Sequence, residues 1–292
     1  IGTRPTAGVT KQQLAEMMVG RPVGMQPAKP PMKLGDVRLN LRNVEALNDR
    51  GMPALRGVSF DLRGGEIVGL AGVSGNGQRE LAEVIAGLRP LAGGTVTIGG
   101  SSIAEASPRA IMDRGLSYIP EERMRDGMIR DFTVSENLIL REFDKPPFAR
   151  AGFLDPGAIK RNSTELVRKF NVKTPTLETP VKNLSGGNIQ KLVLARELSR
   201  KPQAIVAAQP TRGLDIGATE YVHAQLLAQR DLGTATLLIS EDLDEILALS
   251  DRILVIFHGE IMGDVPRAEA TAEKLGLMMA GESHQPEESP VS

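Results

Sequence analysis

Six residues, Gly72-Val-Ser-Gly-Asn-Gly77, stand between a short apolar run, Glu66–Ala71, and a helical pattern, Gln78–Leu88. This junction constrains the fold more than any other stretch of the chain. A strand that passes through a glycine-rich turn into a helix can turn its backbone N–H groups inward, with the partial positive charge of the helix N-terminus behind them. That is the local context of a phosphate-binding loop. Three further apolar runs, Ala204–Ala208, Thr236–Ile239 and Ile253–Phe257, have strand length, and helical patterns occupy about 216–230 and 242–249. The alternation predicts an α/β fold with a mostly parallel sheet covered by helices. Val37–Val44 and Val58–Leu62 alternate apolar and polar residues instead, which predicts antiparallel strands facing a core. Residues from about 133 to 200 read as mostly helical and are expected to form a subdomain.

The loop lacks two side chains that phosphate chemistry uses. A working loop continues with Lys and then Ser or Thr; the Lys neutralises the β- and γ-phosphates and the hydroxyl holds Mg²⁺. Here Gln78 and Arg79 take those places. Gln carries no charge, and the Arg79 cation would repel a metal ion. Taken alone, Gly72, Gly75, Asn76, Gly77, Gln78 and Arg79 read equally as a phosphate cradle or as a tight turn with no ligand. Composition removes other chemistries. There is no Cys, and the three His residues, His223, His258 and His284, are scattered, so no metal centre is expected. Lys plus Arg is 35 and Asp plus Glu is 36, which argues against nucleic acid or an anionic surface held by bulk charge. No apolar run approaches the ~18 residues of a membrane span.

Further along, Asn183-Leu-Ser-Gly-Gly-Asn-Ile-Gln-Lys191 precedes a predicted helix, Leu192–Arg200. Ala204–Gln209 is followed by Pro210-Thr-Arg-Gly-Leu-Asp215. In order and spacing these segments resemble the signature motif, the Walker B strand and the D-loop of the ATP-binding cassette (ABC) ATPases. The resemblance covers residues 32–281. It implies an ABC-type P-loop NTPase fold: a mostly parallel core sheet, an antiparallel β subdomain and an α-helical subdomain. It also locates departures from the family pattern. The family places Asp-Glu before Pro-Thr; this chain has Ala208-Gln209, without the Mg²⁺-supporting carboxylate or the general base. The switch position, a His in most relatives, falls at Glu241, and Glu121 stands where many relatives have the Q-loop Gln. No aromatic lies between Leu39 and Val58, so the usual adenine-stacking residue is absent.

The two ends resemble each other. At an offset of 261, Ile1–Arg21 and Met262–Glu282 share eight of 21 residues, among them Thr10/Thr271, Leu14/Leu275 and Met17/Met278. Chance would give roughly one or two. Each copy reads as a short helix capped by Thr. Arg21–Pro31 carries four prolines and reads as a linker. Since the chain also starts with Ile, residues 1–31 are expected to be the end of an upstream ABC domain plus a linker. Residues 32–281 are then a second ABC domain, and the acidic stretch 282–292 is expected to be a disordered tail.

The resemblance implies the second domain of the tandem ABC subunits that energise bacterial importers of sugars and nucleosides. Gly-Asn-Gly-Gln and Ala-Ala-Gln-Pro-Thr-Arg-Gly-Leu-Asp look most like the nucleoside branch. ABC domains work as head-to-tail pairs, each ATP site joining one domain's Walker loops to the other's signature motif. Ser185, Gly186, Gly187 and Asn188 are therefore expected to complete the Mg-ATP site of the upstream domain, with Asp215 coupling the two sites. Gln78, Ala208 and Gln209 would hold nucleotide weakly or not at all. The charged segment Glu121–Arg130 is expected to meet the membrane permease subunits, and the protein to sit peripherally on the cytoplasmic face of the cell membrane. Two alternatives stay open: a scaffold domain that never meets nucleotide, and a soluble, non-transport ABC protein.

Overall fold

The structure is a computed structural model and describes residues 33–282, together with Met17 and residues 29–31. The rest of the first copy of the repeat, most of the linker and the tail beyond Glu282 lie outside the described residues. In chain order the elements are β1 (Val37–Leu47), β2 (Pro53–Arg63), β3 (Ile67–Ala71), α1 (Gln78–Ile85), β4 (Gly93–Ile98), β5 (Ser101–Ser102), α2 (Pro108–Asp113) and β6 (Leu116–Ile119). After a single π turn, Arg123–Gly127, come α3 (Val134–Ile139), β7 (Ala149–Arg150), β8 (Phe153–Leu154), α4 (Pro156–Lys169) and α5 (Gly186–Leu198). The chain continues through β9 (Ala204–Ala208), α6 (Ile216–Asp231), β10 (Ala235–Ile239), α7 (Leu243–Leu249), β11 (Arg252–Phe257), β12 (Glu260–Pro266) and α8 (Ala272–Met279). The described residues divide into two compact units, one of 33–119, Lys201–Gln209 and 229–282, the other of Pro120–Arg200 and Pro210–Ala228.

The first unit holds two sheets. One has the order β12-β11-β3-β10-β9-β6, parallel throughout except that β12 pairs antiparallel with β11. Every residue of β3, β9 and β10 is buried, so their sequences are apolar runs and not alternations. The other sheet is antiparallel, in the order β2-β1-β4-β5. Leu39 and Leu41 on β1 and Val58, Phe60 and Leu62 on β2 turn inward, and the core continues through Val68, Leu70, Leu81, Ile85, Val206 and Leu237. Each such side chain contributes about 1.5–3 kcal/mol on full burial.

Two local devices fix what carries the loop. Asp251 Oδ2 accepts from the Ile67 N–H at 2.9 Å and from Arg230 Nε at 2.8 Å, which pins the start of β3. Helix α1 ends in a Schellman pattern, with Gly87 N–H to Val84 O at 3.0 Å and Leu88 N–H to Glu83 O at 2.8 Å, so it stops three residues before the periodicity does. The second repeat copy forms α8: Thr271 caps it by accepting from the Lys274 N–H at 3.1 Å, and Leu275 and Met278 are buried.

The second unit is helical apart from the small β7–β8 hairpin. Its longest buried element, α5, begins at Gly186, so the helix starts six residues earlier than the sequence periodicity predicts. Gly is a poor helix former and Ser-Gly-Gly reads as loop. Packing overrides this: a Cβ at Gly186 would lie 3.1 Å from Arg123 Nη2, and one at Gly187 3.2 Å from the Ala218 methyl. Helix α3 starts with a capping box. Thr133 Oγ1 accepts from the Glu136 N–H at 3.2 Å, and Glu136 Oε2 accepts from the Thr133 N–H at 2.7 Å. That backbone bond, with help from the hydroxyl, holds the Glu136 carboxyl below its ordinary range. A depressed carboxyl contributes stability above its unfolded value and loses it as the pH falls through the folded value. Thr133→Ala is expected to cost about 1 kcal/mol in urea unfolding at neutral pH and to flatten the acid side of the stability profile only in part, because the backbone N–H bond to Glu136 remains.

Candidate functional site

The loop Gly72–Gly77 runs from the end of β3 into α1. Gly77, at φ 106°, takes a left-handed conformation that L side chains rarely adopt, and it offers the helix no side-chain cap. The first-turn N–H groups of α1 therefore have no partner within the helix. The Gln78 side chain folds back into the loop. Its Oε1 accepts from the Asn76 N–H at 3.0 Å and its Nε2 donates to the Val73 carbonyl at 2.9 Å. Residue 78 thus fills the cradle with its own amide. Asn76 also fastens the loop to the β11–β12 turn: its Oδ1 accepts from the His258 N–H at 2.7 Å and its carbonyl from the Gly259 N–H at 3.0 Å.

Arg79 is drawn along the outside of α1. Its Nε pairs with Glu83 at 2.7 Å and its Nη1 lies 3.7 Å from Asp49. Arg89 completes the cluster, 2.6 Å from Asp49 and 2.7 Å from Glu83. Its hydrogen bond, more than its charge, holds the Asp49 carboxyl below the usual range. Arg79 is thereby neutralised within the chain.

The ends of β9 and β10 place the other candidates of this unit. Ala208 closes β9, and Gln209 follows at φ 47°, its N–H donating to the Ile239 carbonyl at 2.8 Å. Gln209 Oε1 accepts from the Glu241 N–H at 3.4 Å, so the general-base and switch positions meet through an amide and a backbone N–H. Among the described residues no group of His, Cys, Asp and Glu could hold a metal ion. The Gln78 amide lies in the loop, and neither residue 208 nor residue 209 offers a carboxylate.

In the second unit, Ser185 occupies the N-cap position of α5 at φ −69°, ψ 155°, yet its side chain does not cap the helix. Its Oγ accepts from Asn188 Nδ2 at 2.9 Å, while Asn188 Oδ1 accepts from the Lys173 N–H at 2.8 Å. Asn188 therefore holds the serine and braces a neighbouring loop. The N–H groups of Gly186 and Gly187, in the first turn of a 13-residue helix, are available to an anion. Asp215 caps α6, its Oδ1 accepting from the Ala218 N–H at 2.8 Å. Glu121 pairs with Arg212 across 91 residues of sequence. Neither that pair nor the folding-in of Gln78 had a sequence signal, since each depends on tertiary approach.

The chain matches the family described as ABC transporter over residues 55–212. It is 46% identical to the glucose import ATP-binding protein TsgD13 of Haloferax volcanii, over 96% of this chain and 52% of that protein. It is 41% identical to the guanosine import ATP-binding protein NupO of Bacillus subtilis, over 98% of this chain and 56% of that protein. For the nucleoside import ATP-binding protein NupA of Lactococcus lactis the identity is 43%, over 93% and 54%. The chain thus spans about half the length of the relatives it matches. Its fold is that of a nucleotide-free ATP-binding cassette from an ABC transporter, with a TM-score of 0.68 at 22% identity, covering 80% of this chain and 93% of that one. A dimeric cassette, MJ0796, in a post-hydrolysis state with ADP and Pi, gives 0.66 at 21% identity, covering 78% and 98%. A family match over more than half the chain, on the sheet and loops this fold requires, means that the chain belongs to the ABC transporter family.

Proposed function

We propose that this chain is the second ABC domain of a tandem importer ATPase for nucleosides or simple sugars, and that it serves its partner domain's ATP site in preference to its own. The observation that carries the reading is a contrast. Gln78 fills the chain's own phosphate loop, whereas the signature helix starts with a serine that leaves the first-turn N–H groups uncapped. The import functions named for the three relatives, and their roughly doubled length, support the tandem arrangement. So does the repeat at the chain ends.

In this reading the Ser185 hydroxyl and the Gly186 and Gly187 N–H groups stabilise charge on the γ-phosphate of an ATP held by the upstream domain. Asn188 orients the serine. Asp215, fixed at the start of α6, sets the D-loop between the two sites. Glu121–Arg130 faces the membrane permease. The protein lies on the cytoplasmic face of the membrane; among the described residues no helix is long and apolar enough to cross it.

The filled loop also favours the scaffold alternative. One measurement tests the degenerate site, and a second separates the two readings. The chain alone, with Mg-ATP, is expected to release phosphate well below ~1 s⁻¹, the low end for enzymes. Turnover at or above that rate would overturn the degenerate-site reading. The effect of Ser185→Arg, argued below, distinguishes a composite site from a scaffold.

A further inference from the structure

Three segments distant in sequence meet at one guanidinium. Arg123, the first residue of the π turn, donates from Nη1 to the Arg212 carbonyl at 2.8 Å. Its Nη2 lies against the signature helix, 3.1 Å from where a Gly186 Cβ would stand and 3.8 Å from a Gly213 Cβ. The Arg212 side chain returns to Glu121, two residues before Arg123. One hydrogen bond and one ion pair therefore tie the 121–127 segment to the D-loop at the first turn of α5, all within the helical unit. Among the described residues Arg123 has no carboxylate partner and spends its bond on a backbone carbonyl.

The Glu121–Arg212 pair is a poor stabiliser. Its side chains are 32% and 56% exposed, and such pairs contribute little to folding. Its value lies in geometry. A displacement of about 1 Å at a positioned group can cost a hundredfold in rate.

We propose that Glu121, Arg123 and Arg212 are positioning residues that make the permease-facing segment, the D-loop and the signature helix move as one body. A shift at the membrane subunit is then delivered directly to the groups that meet the partner's γ-phosphate. This rests on the composite-site reading above and adds its mechanical link.

The test uses the full tandem protein assembled with its membrane subunits, measuring kcat and KM for ATP. Glu121→Ala and Arg212→Ala are each expected to lower kcat about tenfold and to leave KM within about twofold, as expected of a contact that acts in the transition state. The double variant is expected to be no worse than the weaker single, because both remove one contact. The charge swap, Glu121→Arg with Arg212→Glu, should return kcat to within about threefold of wild type. Melting temperatures should stay within about 3 °C. If a single variant melts earlier, the swap still decides, since it restores the pair. Wild-type kcat in the singles, additive losses without recovery in the swap, or a raised KM at constant kcat would each overturn the proposal. Ser185→Arg in the same preparation separates the two readings. If it leaves turnover intact, the composite site fails; if it abolishes turnover while the swap pattern is missing, only the link fails.

Discussion

In the tandem protein, Ser185→Arg is expected to lower ATP turnover about a hundred- to a thousand-fold, although no residue of either phosphate loop is altered. The size follows from what stands at the start of α5. Ser185 adopts N-cap backbone angles without using its hydroxyl as a cap, and Asn188 holds that hydroxyl at 2.9 Å. The positive end of a 13-residue helix is thus presented with its first-turn donors unspent. Losing one preorganised donor of this type costs about 2.7–4 kcal/mol in a transition state. Arg adds bulk where the partner's phosphate must approach, beside a position that Arg123 already flanks. The control is Gln209→Ala, measured by steady-state phosphate release. The Gln209 side chain contributes a 3.4 Å contact to the Glu241 N–H, so turnover is expected to change only a few-fold. Near-normal turnover in Ser185→Arg together with its loss in Gln209→Ala would mean that this chain's own site is the working one.

The parallel strands were legible because a strand buried on both faces must be apolar throughout. Ala204–Ala208 was predicted residue for residue, and the runs ending at Ile239 and Phe257 are each extended by one residue at the start. The antiparallel pair was legible from its alternation, although β1 and β2 run further than predicted. Six strands were not, and three of these, β5, β7 and β8, are only two residues long. β4 begins Gly-Gly-Thr, β6 is four residues long, and β12 is an edge strand with no buried face long enough to impose a pattern. The start of α5 differs for another reason: Gly186 and Gly187 are helical in the packed chain, where a Cβ at either would crowd Arg123 or Ala218, and propensity cannot register a neighbour. The same distinction runs through the site. Residue types at 78, 79, 208, 209 and 241 could be read directly. That Gln78 occupies the loop, that Arg79 is bound by Glu83, and that Glu121 reaches Arg212 are facts of approach across the fold.

Putting Lys at residue 78 and Thr at residue 79 is expected to raise the affinity of this domain for Mg-ATP about a hundred- to a thousand-fold while leaving hydrolysis slow. Two changes act together. Gln78→Lys withdraws the amide that holds the Asn76 N–H and the Val73 carbonyl, and it places a cation where phosphate charge collects. Arg79→Thr removes a cation that would repel Mg²⁺ and supplies a hydroxyl for it, while Arg89 still pairs with both Asp49 and Glu83. Each charge-assisted contact is worth about 1.5–3 kcal/mol, and two neighbouring ones sum to less than their separate values. The chemistry does not return with the binding, because Ala208 and Gln209 supply neither the carboxylate behind the metal nor an acceptor for the water's proton. Calorimetric titration beside a turnover assay reads both halves. Unchanged affinity would mean that Gln78 and Arg79 are not what closes this loop to nucleotide. Tight binding with rapid hydrolysis would place the general base on a residue other than 209, with Glu241, whose N–H already meets Gln209, the first to replace.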